Sequence, residues 1–128
     1  LDGAPRTVPE AKILETLSEI DIVIDLCVSD ALIKKRVLSR RMCRACDVIF
    51  GLDNPPKVKG KCSSCGKRLY KRADDTLAII STRLKEYEKK TQAVVEYYRK
   101  KNLLVVVDGE QKIAKITKDI LRAIKKRK

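Results

Sequence analysis

Apolar and polar positions alternate along the chain in two periods, one helical and one typical of strands. Ile13, Leu14, Leu17 and Ile20 recur at helical spacing, with Pro9 and Glu10 suited to a first turn, so residues 7–20 are expected to form a helix. Residues 21–28, DIVIDLCV, are a short run rich in branched side chains and read as a buried strand, with Cys27 in the core. Ser29 suits the N-cap of a helix over residues 30–41, whose apolar positions are Leu32, Ile33, Val37 and Leu38. A further helix is expected from Asp74-Asp75, whose carboxylates suit its positive end, with Leu77, Ile80, Leu84 and Tyr87 as the buried stripe. A break or bend is expected near Thr91, with the helix continuing over residues 93–101. Residues 103–107 read as a second buried strand, and residues 112–126 as a last helix carrying Ile113, Ile116, Ile120, Leu121 and Ile124.

Two buried strands joined by long helical crossovers predict an α/β fold with a parallel sheet. Functional loops then belong beyond the carboxyl ends of the strands, where Arg6, the Ser29 region and Asp108-Gly109 fall. Between residues 41 and 74 the helical period is lost. Asn54-Pro55-Pro56 punctuates that stretch, so turns and short strands are expected there. The expected organisation is a core part at 1–41, an inserted flap at 42–73, and core helices, last strand and last helix at 74–128.

Composition narrows the class. Apolar residues make up 44% of 128, enough for a modest core. The net charge of +13 implies anionic partners. Much of that charge is an ordinary solvated surface, the tail Lys125 to Lys128 above all. No apolar run approaches the ~20 residues of a membrane span, and no signal-peptide pattern is present. The cysteine usage suits a reducing compartment, so a cytoplasmic protein without membrane partners is expected.

The strongest chemistry is in the flap. Cys43 and Cys46 form one Cys-x-x-Cys pair, and Cys62 and Cys65 a second, fifteen residues on. That is the spacing of a four-thiolate zinc site, and with every position filled by sulfur the metal is structural. Arg36, Arg40, Arg72 and Arg83 are a weaker signal. In so basic a chain they read first as a solvated face, and second as a phosphate clamp.

Several blocks bear on that choice. The run Leu1-Asp2-Gly3-Ala4-Pro5-Arg6-Thr7, the arginines Arg36, Arg40 and Arg41, the four cysteines around Asn54-Pro55-Pro56-Lys57-Val58, then Leu69-Tyr70-x-Arg72-x-Asp74-Asp75, Arg83-Leu84-x2-Tyr87, Thr91, Tyr97-Tyr98 and Val107-Asp108-Gly109 resemble, in order, the carboxyl-terminal part of zinc-lid adenylate kinases of the bacterial type. The resemblance implies a nucleoside monophosphate kinase fold and reversible phosphoryl transfer from ATP to AMP, giving two ADP, in nucleotide biosynthesis. It implies that Gly3, Ala4, Pro5 and Arg6 line the AMP site, with Arg6 on the phosphate, and that Asp2 holds magnesium through water. Arg36 would stack on the ATP adenine, Arg40 grip the ATP phosphates, Ile49 and Phe50 cover the nucleotide, and Gln111 lie against the base. Arg72 and Arg83 would reach both phosphates, making Arg40, Arg72 and Arg83 catalytic. Glu10 stands where the family has a glutamine that reads the AMP base, which opens the choice between AMP and GMP. Ala4 replaces a phenylalanine.

One part of such an enzyme is not in these residues. A phosphate-binding loop reads G-x-x-x-x-G-K-[ST], and neither Gly60-Lys61 nor Gly66-Lys67 fits it. The resemblance places that loop upstream, so a missing amino-terminal portion is expected and the isolated chain should be inactive. The alternative is an inactive zinc-ribbon fragment that binds nucleotide or nucleic acid. Phe50 and Tyr70 alone make a poor stacking platform, which weighs against nucleic acid.

Overall fold

The computed structural model describes residues 3–128, so Leu1 and Asp2 lie outside the described residues. The elements in chain order are α1 (Val8–Leu17), β1 (Val23–Cys27), α2 (Asp30–Ser39), β2 (Arg41–Met42), β3 (Ile49–Phe50), α3 (Leu77–Lys100), β4 (Leu104–Asp108) and α4 (Ile113–Arg127). They divide into two compact units. One is made of the residues up to Ser29 together with Leu84–Lys128, and the other is Asp30–Arg83.

In the first unit, β1 and β4 pair in parallel, from Val23 opposite Leu104 to Cys27 opposite Asp108. α1 starts where its end is chemically closed. Thr7 accepts the Glu10 N–H through its hydroxyl at 3.4 Å, and Glu10 Oε2 accepts the Arg6 N–H at 2.7 Å. Ala11 of α1 is fully buried against Val94 and Tyr98 of α3, with Ile20, Val23, Leu103 and Leu104 packed around them. At the carboxyl ends of the strands, Gly109 donates to the Cys27 carbonyl at 2.8 Å and Ser29 donates to Glu110 at 2.8 Å. A Cβ on Gly109 would meet Val28 at 2.6 Å and Leu26 at 2.9 Å, so only glycine lets the chain pass there.

The α/β class and the parallel pair are as expected, but the strands are less buried. Leu26 and Val106 are about half exposed, and Cys27 is exposed at the end of β1 instead of lying in the core. A two-stranded sheet gives its side chains few lateral neighbours, whereas full burial needs flanking strands and cover on both faces. The buried stripe of α3 also differs. Ile80, Val94, Val95 and Tyr98 are buried, while Leu77 and Tyr87 are exposed. Helical spacing fixes which side chains share a face; tertiary neighbours decide how far along it burial extends. α3 runs unbroken through Thr91. It begins after Asp74-Asp75, with the Thr76 hydroxyl accepting from the Ile79 N–H at 3.4 Å, so the two acids do not form its first turn.

The second unit is α2 followed by a ribbon of turns. β2 and β3 pair antiparallel, and Met42 bridges to Tyr70, Val58 to Lys61, and Lys61 to Arg68. Its core is small: Cys43, Phe50, Cys62 and Leu69, with Val48 against them. So few apolar groups need a further staple, and the cysteines supply the means.

Candidate functional site

The two Cys-x-x-Cys pairs adopt the same local fold. Asp47 donates to the Cys43 carbonyl at 3.0 Å and Cys43 donates to Val48 at 3.1 Å; Gly66 donates to the Cys62 carbonyl at 2.9 Å and Cys62 donates to Lys67 at 2.8 Å. The residue after each pair has a left-handed backbone, Asp47 at φ 53° and Gly66 at φ 72°. Glycine and aspartate are among the residues that visit this region most readily.

The four sulfurs converge. All lie within 4.8 Å of one another, and Cys43 Sγ is 3.5 Å from Cys65 Sγ. A tetrahedron with metal–sulfur bonds of about 2.3 Å has sulfurs about 3.8 Å apart, so the cluster needs little adjustment to hold one ion. All four are free thiols, not disulfides. Local hydrogen bonding drives the acidities of Cys46 and Cys62 apart. Hydrogen bonding to Cys65 pushes the Cys46 thiol up to about 12, whereas backbone N–H groups of Cys65 and Ser64 draw Cys62 down to about 7.

In the same unit, two consecutive acids gather three arginines. Asp75 is fully buried and takes the Arg40 guanidinium in a bidentate pair, through Nε at 2.9 Å and through Nη2. The hydrogen bond from Arg40 holds the Asp75 carboxyl below the usual carboxylate range, and the same pairing raises Arg40. Asp74 takes Arg72, with Nε at 3.2 Å, and Arg83, with Nη2 at 3.1 Å. Three of the predicted arginines are thus held by one Asp-Asp pair. Sequence reasoning missed this role, having read the acids as helix-end charges. The signal available was their adjacency, separated by one residue from the basic segment that ends the flap at Arg72.

The other predicted residues are placed as follows. Arg36 Nε lies 3.2 Å from Asp53. Phe50 is buried in the ribbon core and Ile49 is exposed. In the first unit, the Arg6 guanidinium lies over Gly3, where a Cβ would come within 2.8 Å of it; Gly3 has φ 76°. Ala4 and Pro5 follow, joined by a cis peptide. Glu10 is engaged by the Arg6 backbone, as above. Gln111 Nε2 donates to the Asp108 carbonyl at 3.1 Å and to Asp119 at 3.3 Å. Asp2 lies outside the described residues. Among the described residues no helix is long and apolar enough to cross a membrane.

Comparison with known proteins decides what this arrangement belongs to. Residues 40–74 match the family model described as the adenylate kinase active site lid. Along nearly its whole length the chain is similar to proteins named adenylate kinase. That of Methanocella arvoryzae is 44% identical over 132 aligned residues, covering 98% of this chain and 61% of the relative. Those of Desulforudis audaxviator and Thermosipho melanesiensis are 44% and 40% identical, covering 97% and 98% of this chain and 61% and 62% of theirs.

The chain belongs to the adenylate kinase family. It spans about three fifths of the length of the curated relatives it matches. The adenylate kinase lid match opens at Arg40 and closes at Asp74. It therefore contains all four cysteines, which could hold a metal ion, and ends next to the buried partner of Arg40.

Proposed function

We propose that this chain forms part of a cytoplasmic adenylate kinase in which a zinc-stapled lid and an arginine clamp transfer the γ-phosphoryl group of ATP to AMP. A phosphate oxygen of AMP attacks the γ-phosphorus, the bond to the ADP leaving oxygen breaks, and two ADP result. Such a transfer needs alignment and positive charge on the equatorial oxygens more than covalent chemistry. The observation that carries the reading is the gathering of Arg40, Arg72 and Arg83 by Asp74-Asp75, where the lid-matched segment of residues 40–74 ends.

The bidentate pair with Asp75 engages Nε and Nη2 of Arg40, and its Nη1 hydrogens can donate to a phosphate. Asp74 pre-sets Arg72 and Arg83 so that they do not wander as free chains. Arg6 with Gly3, Ala4, Pro5 and Glu10 is assigned to the AMP site. Arg36, Ile49, Phe50 and Gln111 are assigned to ATP, and Asp2 to magnesium held through water. Four thiolates fit zinc, which when bound would fix the ribbon of residues 42–73 as a lid between core parts 1–41 and 74–128. Closing the lid excludes water, so phosphate passes to AMP instead of being hydrolysed.

Since these residues contain no phosphate-binding loop, the 128-residue chain alone is expected to be inactive, and activity to require the rest of the family's length. The test measures ADP formation from ATP and AMP, first with this chain alone and then with it joined to the complementary portion of the Methanocella arvoryzae relative. Activity only in the joined protein supports the proposal. Activity in the chain alone, or in neither, overturns it.

A further inference from the structure

The lid carries a cross-strand pair that its own packing does not explain. Lys61 and Arg68 face each other in an antiparallel bridge. Leu69 donates to the Gly60 carbonyl at 2.9 Å and Cys62 donates to the Lys67 carbonyl at 2.8 Å. These bonds flank the pair, so it occupies a non-hydrogen-bonded position, where opposed side chains come closest. The next residues along, Cys62 and Leu69, are buried in the lid core, whereas Lys61 and Arg68 are exposed, so both cations emerge on the outer side.

Like charges directly opposite one another destabilise a ribbon. Among the described residues neither Lys61 nor Arg68 enters an ion pair. Between residues 54 and 73 there are seven Lys or Arg and no acid. The chain could have placed a carboxylate opposite either cation, but the local excess is entirely positive.

We propose that Lys61 and Arg68 form a phosphate-binding site on the outer face of the lid, separate from the Arg40, Arg72 and Arg83 clamp. One phosphate group would sit between the ammonium and the guanidinium, accepting from both and converting their repulsion into a bridge. Lys59 and Lys67, within two residues of the pair in sequence, would add to the positive field. The phosphate could be free or one link of a nucleic-acid strand; the chemistry is the same.

The experiment uses the full zinc-loaded chain, the variants Lys61→Gln, Arg68→Gln and the double variant, and Lys126→Gln as a control on α4. Binding is measured with inorganic phosphate and with a twenty-residue oligothymidylate at several salt concentrations, alongside the thermal midpoint of the lid. The wild type is expected to gain thermal stability with at least one probe. The double variant should bind that probe about tenfold more weakly at low salt, with a shallower salt dependence. It should also be more stable than wild type when no anion is present, a gain that loss of a structural contact would not give. Loss of phosphate binding identifies a small-anion site, and loss of oligonucleotide binding alone identifies a strand site. Equal binding by the wild type and double variant overturns the proposal. Kinase activity of the joined protein should be unchanged in the double variant, so the outcome is independent of the assignment of the arginine clamp.

Discussion

Arg40 and Asp75, thirty-five residues apart, form a bidentate ion pair in which the carboxylate is fully buried. The pair closes the lid segment at its base: one partner precedes the first cysteine and the other follows the last arginine of the ribbon. A buried carboxylate with one strong partner is costly to orphan from either side.

Removing the Asp75 carboxylate by Asp75→Ala is therefore expected to destabilise the lid unit by about 3 kcal/mol, the low end for a buried pair because Arg40 keeps partial access to water. The pairing should also be sensitive to acid. The Asp75 pKa is lowered in the folded state, so the unfolded chain binds the proton more readily. Its contribution is complete above the unfolded value near 3.9 and disappears as pH falls through the lower folded value. Urea denaturation between pH 2 and 6, wild type against Asp75→Ala, measures this. A difference that does not shrink toward low pH would refute it.

How much of this was legible follows from how local each signal is. The cysteine ribbon could be read directly, because two Cys-x-x-Cys turns place four sulfurs through their immediate neighbours. The parallel pairing of β1 and β4 was legible from two branched runs separated by helical stretches. The burial of Asp75 was not, since it depends on Arg40 lying across the lid, and an Asp-Asp pair before a helix equally suits a helix end. Cys27 and Tyr87 misled for a related reason: an apolar run or stripe shows what a residue can bury, not whether a neighbour covers it.

The four cysteines should confer metal-dependent folding on the lid alone. With its core limited to Cys43, Phe50, Cys62, Leu69 and Val48, the ribbon has little else to hold it, and metal-binding energy becomes folding energy. Treatment with a chelator is expected to remove about one zinc per chain and to abolish amide protection over residues 42–70, while α1, α3 and α4 stay helical. Hydrogen exchange read by mass spectrometry resolves the two regions. Loss of protection throughout the chain in one step would contradict it.

In the other unit a surface network ties α1 to the end of α3. Glu15 accepts from Tyr97 at 2.9 Å and pairs with Lys101 at 2.6 Å, and the Lys101 ammonium lies 4.7 Å from the Tyr97 ring centre. The hydrogen bond to Lys101 lowers the Glu15 pKa, and the hydrogen bond to Glu15 raises Lys101 to about 12. Glu15 thus adds stability above its unfolded value near 4.3, lost as pH falls through the depressed folded value. Lys101 adds stability below its unfolded value near 10.4, lost as pH rises toward 12. Lys101→Met should flatten the stability profile at both ends, measured as thermal midpoint against pH. An unchanged profile would show the network to be fully screened by solvent.

In the joined enzyme, Arg40→Ala, Arg72→Ala and Arg83→Ala are each expected to lower kcat on the order of a thousandfold, by analogy with arginine fingers. Lys126→Ala, on the exposed side of α4, should leave it unchanged. Steady-state rates with saturating ATP and AMP make the comparison. Small and equal effects at all four positions would mean that the three arginines only serve the Asp74-Asp75 pair.

Glu10 tests monophosphate choice. Its Oε2 is already engaged by the Arg6 N–H at 2.7 Å, and an ionised carboxylate offers a base only acceptors. It cannot donate to the N1 lone pair of adenine, whereas the N1–H and N2–H donors of guanine could meet it. Glutamine keeps an acceptor for Arg6 and adds a donor. An unmade hydrogen bond costs about 1–3 kcal/mol, so Glu10→Gln should raise the kcat/KM ratio of AMP over GMP roughly ten- to a hundredfold in the joined enzyme. Glu10→Ala separates the cap from the base contact: it should lower the stability of α1 by about 1 kcal/mol without restoring preference for AMP. If the ratio is the same with Glu and with Gln, the residue only caps α1 and the base is read elsewhere.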